Sequence, residues 1–84
     1  MLLQGKVALI TGAASERGIG RATAETFAKQ GAKIIIVDLD LIQSQKAAKA
    51  LGEGHLGLVA NVANEEQAHA AVDQALQQYG KIDI

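Results

Sequence analysis

The chain has 84 residues, 8 basic against 9 acidic side chains, a formal net charge of −1, no cysteine and no proline. A disulfide framework and a thiolate metal site are therefore excluded. The interspersed charges give no basic patch for nucleic acid, and no apolar run exceeds four residues, which excludes a membrane span from the sequence. The length admits one small domain. Residues 1–6 lack the apolar core of a signal peptide, so a cytoplasmic location is expected.

The first predicted strand covers Lys6 to Thr11. Its apolar run Val7-Ala8-Leu9-Ile10 is continuous, as expected for a strand covered on both faces. The next stretch, Thr11 to Gly20, holds three glycines, Gly12, Gly18 and Gly20, and leads into a helical pattern. A strand, a glycine-rich turn and a helix N-terminus in that order make an anion site. The free N–H groups and the positive dipole end of the helix point into the turn, and glycine lets a phosphate approach without meeting a Cβ. This stretch is read as a nucleotide phosphate turn.

The first helix is predicted from Gly18 to Gln30, with Ile19, Ala22, Thr23, Thr26 and Phe27 as its inner face and Gly31 as its stop. Arg21 is expected on its solvated side. The second strand, Lys33 to Asp38, carries Ile34-Ile35-Ile36-Val37, the most β-branched run in the chain. Helix two follows from about Leu41 to Leu51, with Asp40 as N-cap, Gly52 as stop and Ala47, Ala48 and Leu51 as buried side. The third strand, His55 to Ala60, alternates weakly and suits an edge position. Asn64 caps helix three, and Gln67 stands at capping-box spacing from it. Ala68, Ala71, Val72, Ala75, Leu76 and Tyr79 form the clearest helical stripe in the sequence, and Gly80 ends it. Ile82-Asp83-Ile84 reads as the start of a fourth strand.

Strands alternating with helices imply parallel βαβ units. Right-handed crossovers predict strand order 3-2-1, with helices one and two on one face of the sheet and helix three on the other. Strand four then pairs with strand one. The expected architecture is a three-layer α/β fold, the N-terminal half of a Rossmann-type, doubly wound parallel sheet.

Asp38 ends the second strand 20 residues after Gly18, the position from which a carboxylate accepts hydrogen bonds from the ribose hydroxyls of a dinucleotide. The same charge repels a 2′-phosphate. His55 and His69 show no metal-ligand spacing and are expected at the surface. A P-loop is excluded, because Arg21-Ala22 follows Gly20 where that motif needs Lys-Ser/Thr.

Thr11-Gly12, Gly18-Ile19-Gly20, Asp38, Asn61-Val62 and Tyr79-Gly80-Lys81-Ile82-Asp83-Ile84, in that order, resemble the N-terminal part of a short-chain dehydrogenase/reductase. Such enzymes move a hydride between NAD(P) and a carbonyl or alcohol. The resemblance implies that Gly12, Gly18 and Gly20 form the pyrophosphate turn, with Ser15 and Ile19 in the same pocket. It places Asp38 and Leu39 beside the adenine ribose, Val62 on the adenine ring, and Asn61 where the family usually has an aspartate for the adenine amino group. Five residues separate Gly12 from Gly18 where the family usually has three, so the turn carries a two-residue insertion expected to bulge outward. Within it, Arg17 matches a base that pairs with the 2′-phosphate in NADP-preferring relatives. Asp38 opposes that phosphate, and NAD is favoured over NADP.

The family's Asn-Asn-Ala-Gly segment, catalytic serine and Tyr-x-x-x-Lys pair have no counterpart within these residues, and Tyr79 is read as a packing residue. The implied parent is a single domain of about 250 residues, of which residues 1–84 are the dinucleotide-binding half. A 3-oxoacyl reductase-like substrate follows only from the abundance of such enzymes. A non-catalytic nucleotide-binding module and another Rossmann enzyme, such as a methyltransferase, are the competing readings. A homo-oligomer is expected, and the outer edge of strand one, left unpaired, would make the isolated chain associate or lose stability.

Overall fold

A computed structural model describes residues 2–14 and 18–84. Three parallel strands, β1 (Val7–Thr11), β2 (Lys33–Asp38) and β3 (Leu56–Val59), alternate with helices α1 (Ile19–Lys29), α2 (Leu41–Ala50) and α3 (Glu65–Tyr79). The sheet order is β1-β2-β3, with Ala8 opposite Ile34 and Ile36 opposite Gly57. The central strand explains its own composition. Ile34, Ile35, Ile36 and Val37 alternate between the two faces, and all four are buried because both faces are covered.

On one face Ala8, Ile34 and Ile36 pack with Ala24 and Ala47 of α1 and α2. On the other, Val7, Ile35, Val37 and Leu58 pack with Ala71 and Ala75 of α3. The helices are thus distributed as the crossover rule requires. Small residues at the contacts bring the helices close to the sheet, closest where α2 lies on β3. A Cβ added to Gly57 would stand 2.5 Å from the carbonyl carbon and oxygen of Ser44 and 2.6 Å from the amide nitrogen of Gln45. Ser44 is consequently fully buried, and its Oγ has no hydrogen-bond partner among the described residues.

The caps of α2 and α3 are as read from sequence. Asp40 accepts from the Gln43 N–H at 3.1 Å, and Asn64 accepts from the Gln67 N–H at 3.1 Å. Gly80 closes α3 in the left-handed region at φ 79°.

Four expectations are corrected. The buried face of α1 is carried by Arg21 and Ala24, with Phe27 and Ala28 half-buried, whereas Ile19, Ala22 and Thr26 are exposed. Arg21 is therefore not a solvated residue. Its aliphatic stem lies against the fold, its Nη1 donates to the Ala14 carbonyl at 3.5 Å, and its Nε stands 3.4 Å from Glu25 Oε1. On α3, Ala71 and Ala75 are buried, but Val72 and Leu76 stay 39% and 41% exposed. The outer edge of β1 is not bare either. Leu9 N–H donates to the Ile84 carbonyl at 3.0 Å, and the Asp83 N–H donates to the Val7 carbonyl at 2.8 Å. With the Ile84 N–H donating to the Val7 carbonyl at 3.2 Å, the Leu9 bond has the parallel pattern, where strand four was expected. The Asp83 carboxylate also accepts the Val7 N–H at 2.8 Å and pairs with Lys81 at 3.1 Å. The Val7 N–H, followed by Lys81, holds the Asp83 carboxyl below its ordinary value.

His55 departs from its expected place as well. It is half-buried, and its Nδ1 accepts the Ile34 N–H at 2.9 Å, a donor that faces β3 one rung before the ladder begins. Burial first, and the Lys33 charge second, lower its pKa from the ordinary 6.5. The neutral ring is thus the form the fold prefers. Above 6.5 neither state binds the proton. Below it the unfolded chain binds it more readily, so stability falls with pH until the folded-state pKa is passed. The melting temperature is expected to drop between about pH 7.5 and pH 5. His55→Asn, whose Oδ1 can accept the same N–H without titrating, should remove part of that slope. An unchanged slope in the variant would refute the assignment.

Candidate functional site

Parallel strands deliver their C-terminal ends to one edge of the sheet, and the loops that follow them form the cleft there. Thr11 and Gly12 at the end of β1, Val37 to Leu39 at the end of β2, and Ala60 to Val62 after β3 line a cleft of about 270 Å³. Gly12, Asp38, Leu39, Asn61 and Val62, separated in sequence by up to 50 positions, are thus brought together as expected.

Gly12 has φ 69°, a conformation that favours glycine, and its N–H donates to the Val37 carbonyl at 3.0 Å. This ties the start of the turn to β2. Gly20, in the first turn of α1, passes so close to β1 that an added Cβ would stand 3.3 Å from the Thr11 oxygen and from Ala13 Cα. Gly18 is the N-cap of α1 with an extended backbone. It has no side chain to occupy the first-turn N–H groups, and α1 has no acidic residue there. The other two helices are capped by Asp40 and Asn64, and α3 adds Glu65 and Glu66. Among the described residues, no side chain takes the positive end of α1, which suits an anion. Ile19 sits beside it at 88% exposure. The expectations for Ser15 and Arg17, and for the outward bulge of the inserted residues, lie outside the described residues.

Asp38 faces the turn from β2. One carboxylate oxygen accepts the Leu39 N–H at 2.7 Å and the other accepts the Ala14 N–H at 3.4 Å. Each oxygen retains a lone pair for a further hydrogen bond. Leu39 and Val62, 70% and 53% exposed, are apolar side chains among its lining. A flat ring with polar edges suits such a setting.

Asn61 is engaged as a turn residue. Its Oδ1 accepts the Ala63 N–H at 3.0 Å, its carbonyl accepts the Asn64 N–H at 2.9 Å, and its own N–H donates to Gln67 Oε1 at 2.7 Å. The capping box read from sequence is therefore only half formed, because the Gln67 side chain reaches Asn61 and not the Asn64 N–H. The role of Gln67 and the burial of Arg21 behind Ala14 were missed in the sequence. The only signal for Gln67 was its spacing from Asn64, which does not say which N–H it would take.

A larger hollow, about 890 Å³, lies between α2 and the outer edge of β3, lined by Lys46, Lys49, His55 and Gly57 among others. It opens at the N-terminal end of β3, away from the glycine turn and the α1 N-terminus, and brings together no comparable chemistry. Among the described residues no group of histidine and carboxylate side chains could hold a metal ion, and no helix is long and apolar enough to cross a membrane.

A family model described as enoyl-(acyl carrier protein) reductase matches residues 12–84. An uncharacterized short-chain type dehydrogenase/reductase, y4mP of Sinorhizobium fredii, is 44% identical across the whole chain, which covers 35% of that protein. Galactitol 2-dehydrogenase of Agrobacterium fabrum is 43% identical across the whole chain, which covers 32% of it. The crystal structure of 3-ketoacyl-(acyl-carrier-protein) reductase from Brucella melitensis complexed with NADH superposes with a TM-score of 0.89. That protein is 46% identical, over 96% of this chain and 32% of its own. The chain thus spans about a third of the length of the relatives it matches.

Proposed function

We infer the function from one premise: the chain belongs to the short-chain dehydrogenase/reductase family. We propose that residues 1–84 are the dinucleotide-binding half of a single larger domain, and that the protein containing them transfers a hydride between a nicotinamide cofactor and a carbonyl or alcohol. Bound there, the nicotinamide ring supplies or accepts the hydride. The residues described here act on the other end of the cofactor. Gly12, Gly18 and Gly20 receive the pyrophosphate at the α1 N-terminus, with Ile19 beside it. Asp38 accepts from the ribose hydroxyls, Leu39 and Val62 flank the adenine, and the free lone pair of Asn61 Oδ1 accepts from its amino group.

The observation that carries this reading is the Asp38 carboxylate in the 270 Å³ cleft at the ends of the strands, with Gly12, Leu39, Asn61 and Val62, while the first turn of α1 packs at Gly20 against the end of β1. The carboxylate also sets the cofactor. A 2′-phosphate would be repelled at short range in a half-buried setting, and NAD is the form that fits. The substrate class proposed is a 3-oxoacyl thioester, in keeping with what the Brucella reductase is named for. The experiment is a titration of the full-length protein that contains residues 1–84 with NAD and NADP, followed by amide chemical shifts. NAD is expected to move the amides of Gly12, Ala14, Leu39 and Val62, with NADP weaker by about tenfold or more. No shifts at these amides, or tighter binding of NADP, would overturn the proposal.

A further inference from the structure

We propose that Gln67 is a positioning residue for nucleotide recognition, holding the Asn61–Val62 wall of the cleft in place from the first turn of α3. The inference rests on the reading of that cleft as the nucleotide site.

Four hydrogen bonds organise the segment between β3 and α3. Ala63 N–H to Asn61 Oδ1 and Asn64 N–H to the Asn61 carbonyl fold the turn on itself. Gln67 N–H to Asn64 Oδ1 fixes its far end to the helix. The fourth, Asn61 N–H to Gln67 Oε1 at 2.7 Å, is the shortest and differs in kind. It runs from the helix back across the turn to the residue that lines the cleft. Just before it, Ala60 N–H donates to the Asp38 carbonyl at 2.9 Å, so Asn61 is the first residue past the sheet's own bonding. Beyond that point the Gln67 side chain is the only tie, among the described residues, between the cleft-lining end of the turn and the body of α3.

The arrangement is possible because the Asn61 carbonyl takes the Asn64 N–H. That N–H is the donor a capping box would offer to Gln67. Freed of it, the Gln67 carboxamide reaches Asn61. The hydrogen bond is exposed, so it adds little to global stability. Its effect falls on the orientation of two residues that face the ligand. Without it the turn can swing as a unit, because its internal bonds remain intact, and Val62 loses its register with Leu39 across the cleft.

The test uses the full-length protein that contains residues 1–84, with NAD as the probe and two variants, Gln67→Met and Gln67→Glu. Methionine keeps the length and removes the acceptor, whereas glutamate keeps the acceptor. Gln67→Met should raise the Kd for NAD about fivefold while the melting temperature stays near that of the parent chain. It should also speed hydrogen exchange at the Asn61 amide. Gln67→Glu should restore both protection and affinity. A wild-type Kd in the methionine variant, or a loss of affinity that glutamate does not rescue, overturns the positioning role. Failure of the parent chain to bind NAD at all overturns the nucleotide reading itself, and the Asn61 exchange rate then still reports whether the tie exists.

Discussion

Gly57→Ala is expected to lower the melting temperature by on the order of 15 °C, and Gly57→Val to abolish cooperative melting at room temperature. The added Cβ would meet Ser44 carbon and oxygen at 2.5 Å and Gln45 nitrogen at 2.6 Å, all backbone atoms of a helix interior. A flexible side chain could turn away from such a contact. A helix backbone cannot, so α2 must lift off β3 as a body. Overpacking of this kind costs about 3 kcal/mol, and in a chain of this size each kcal/mol moves the midpoint by about 4–8 °C. Lifting α2 also opens its contacts through Ala47 with Ile34 and Ile36, which lie in the same cluster. Valine adds two more methyl groups and would exceed the stability that a small domain has to lose. Thermal melts followed by circular dichroism decide the matter. A melting temperature for Gly57→Ala within a few degrees of the parent would show that α2 yields at little cost.

The second large effect is expected at Asp38. Its carboxylate is proposed to accept charge-assisted hydrogen bonds from ribose, each worth about 1.5–3 kcal/mol against a charged acceptor. Asp38→Ala should therefore weaken NAD binding by about 10- to 100-fold. NADP should not follow. Removing the negative charge takes away the repulsion against a 2′-phosphate, so the ratio of the two affinities should invert or come close to unity. Titration of the variant with both coenzymes separates this from simple damage to the turn. Asp38 also accepts the Ala14 N–H, and loosening that bond would weaken both coenzymes alike. An equal loss for NAD and NADP would thus assign Asp38 to holding the turn, not to selecting the ribose.

The sheet was legible because its strands carry a strong and simple signal. Ile34 to Val37 cannot be anything but buried on both faces, and the observed bounds of β2 match the expected ones. The caps at Asp40 and Asn64 were legible for the same local reason, since a short polar side chain before a helical pattern has one use. The inner face of α1 was not. A count of apolar positions ranks Ile19 above Arg21, but arginine has a long aliphatic stem, and Ile19 falls beside the cleft where the sheet no longer covers it. His55 was misplaced because its role depends on an N–H of a neighbouring strand, which no local pattern contains. Ser44 was missed for a similar reason. Its burial comes from a glycine 13 residues away on another element. At the site, Gly12 and Asp38 were singled out from spacing, and both fall in the cleft. The geometry of Asn61 emerged only when its three hydrogen-bond partners, the Ala63 and Asn64 N–H groups and the Gln67 side chain, could be seen around it.

The pair of hydrogen bonds between Val7 and Asp83 has a kinetic meaning. It joins residues 76 positions apart, the longest separation among the side-chain hydrogen bonds described. A contact of that kind forms only after the intervening chain has been ordered, because the entropy of closing so large a loop is otherwise uncompensated. The βαβ unit of β1, α1 and β2 closes over a far shorter span and has no need to wait for it. The clasp therefore belongs to the late side of the folding barrier. Interactions made there leave the rate of folding almost untouched and slow the reverse reaction, so residues 83–84 act on how long the folded chain survives more than on how quickly it forms.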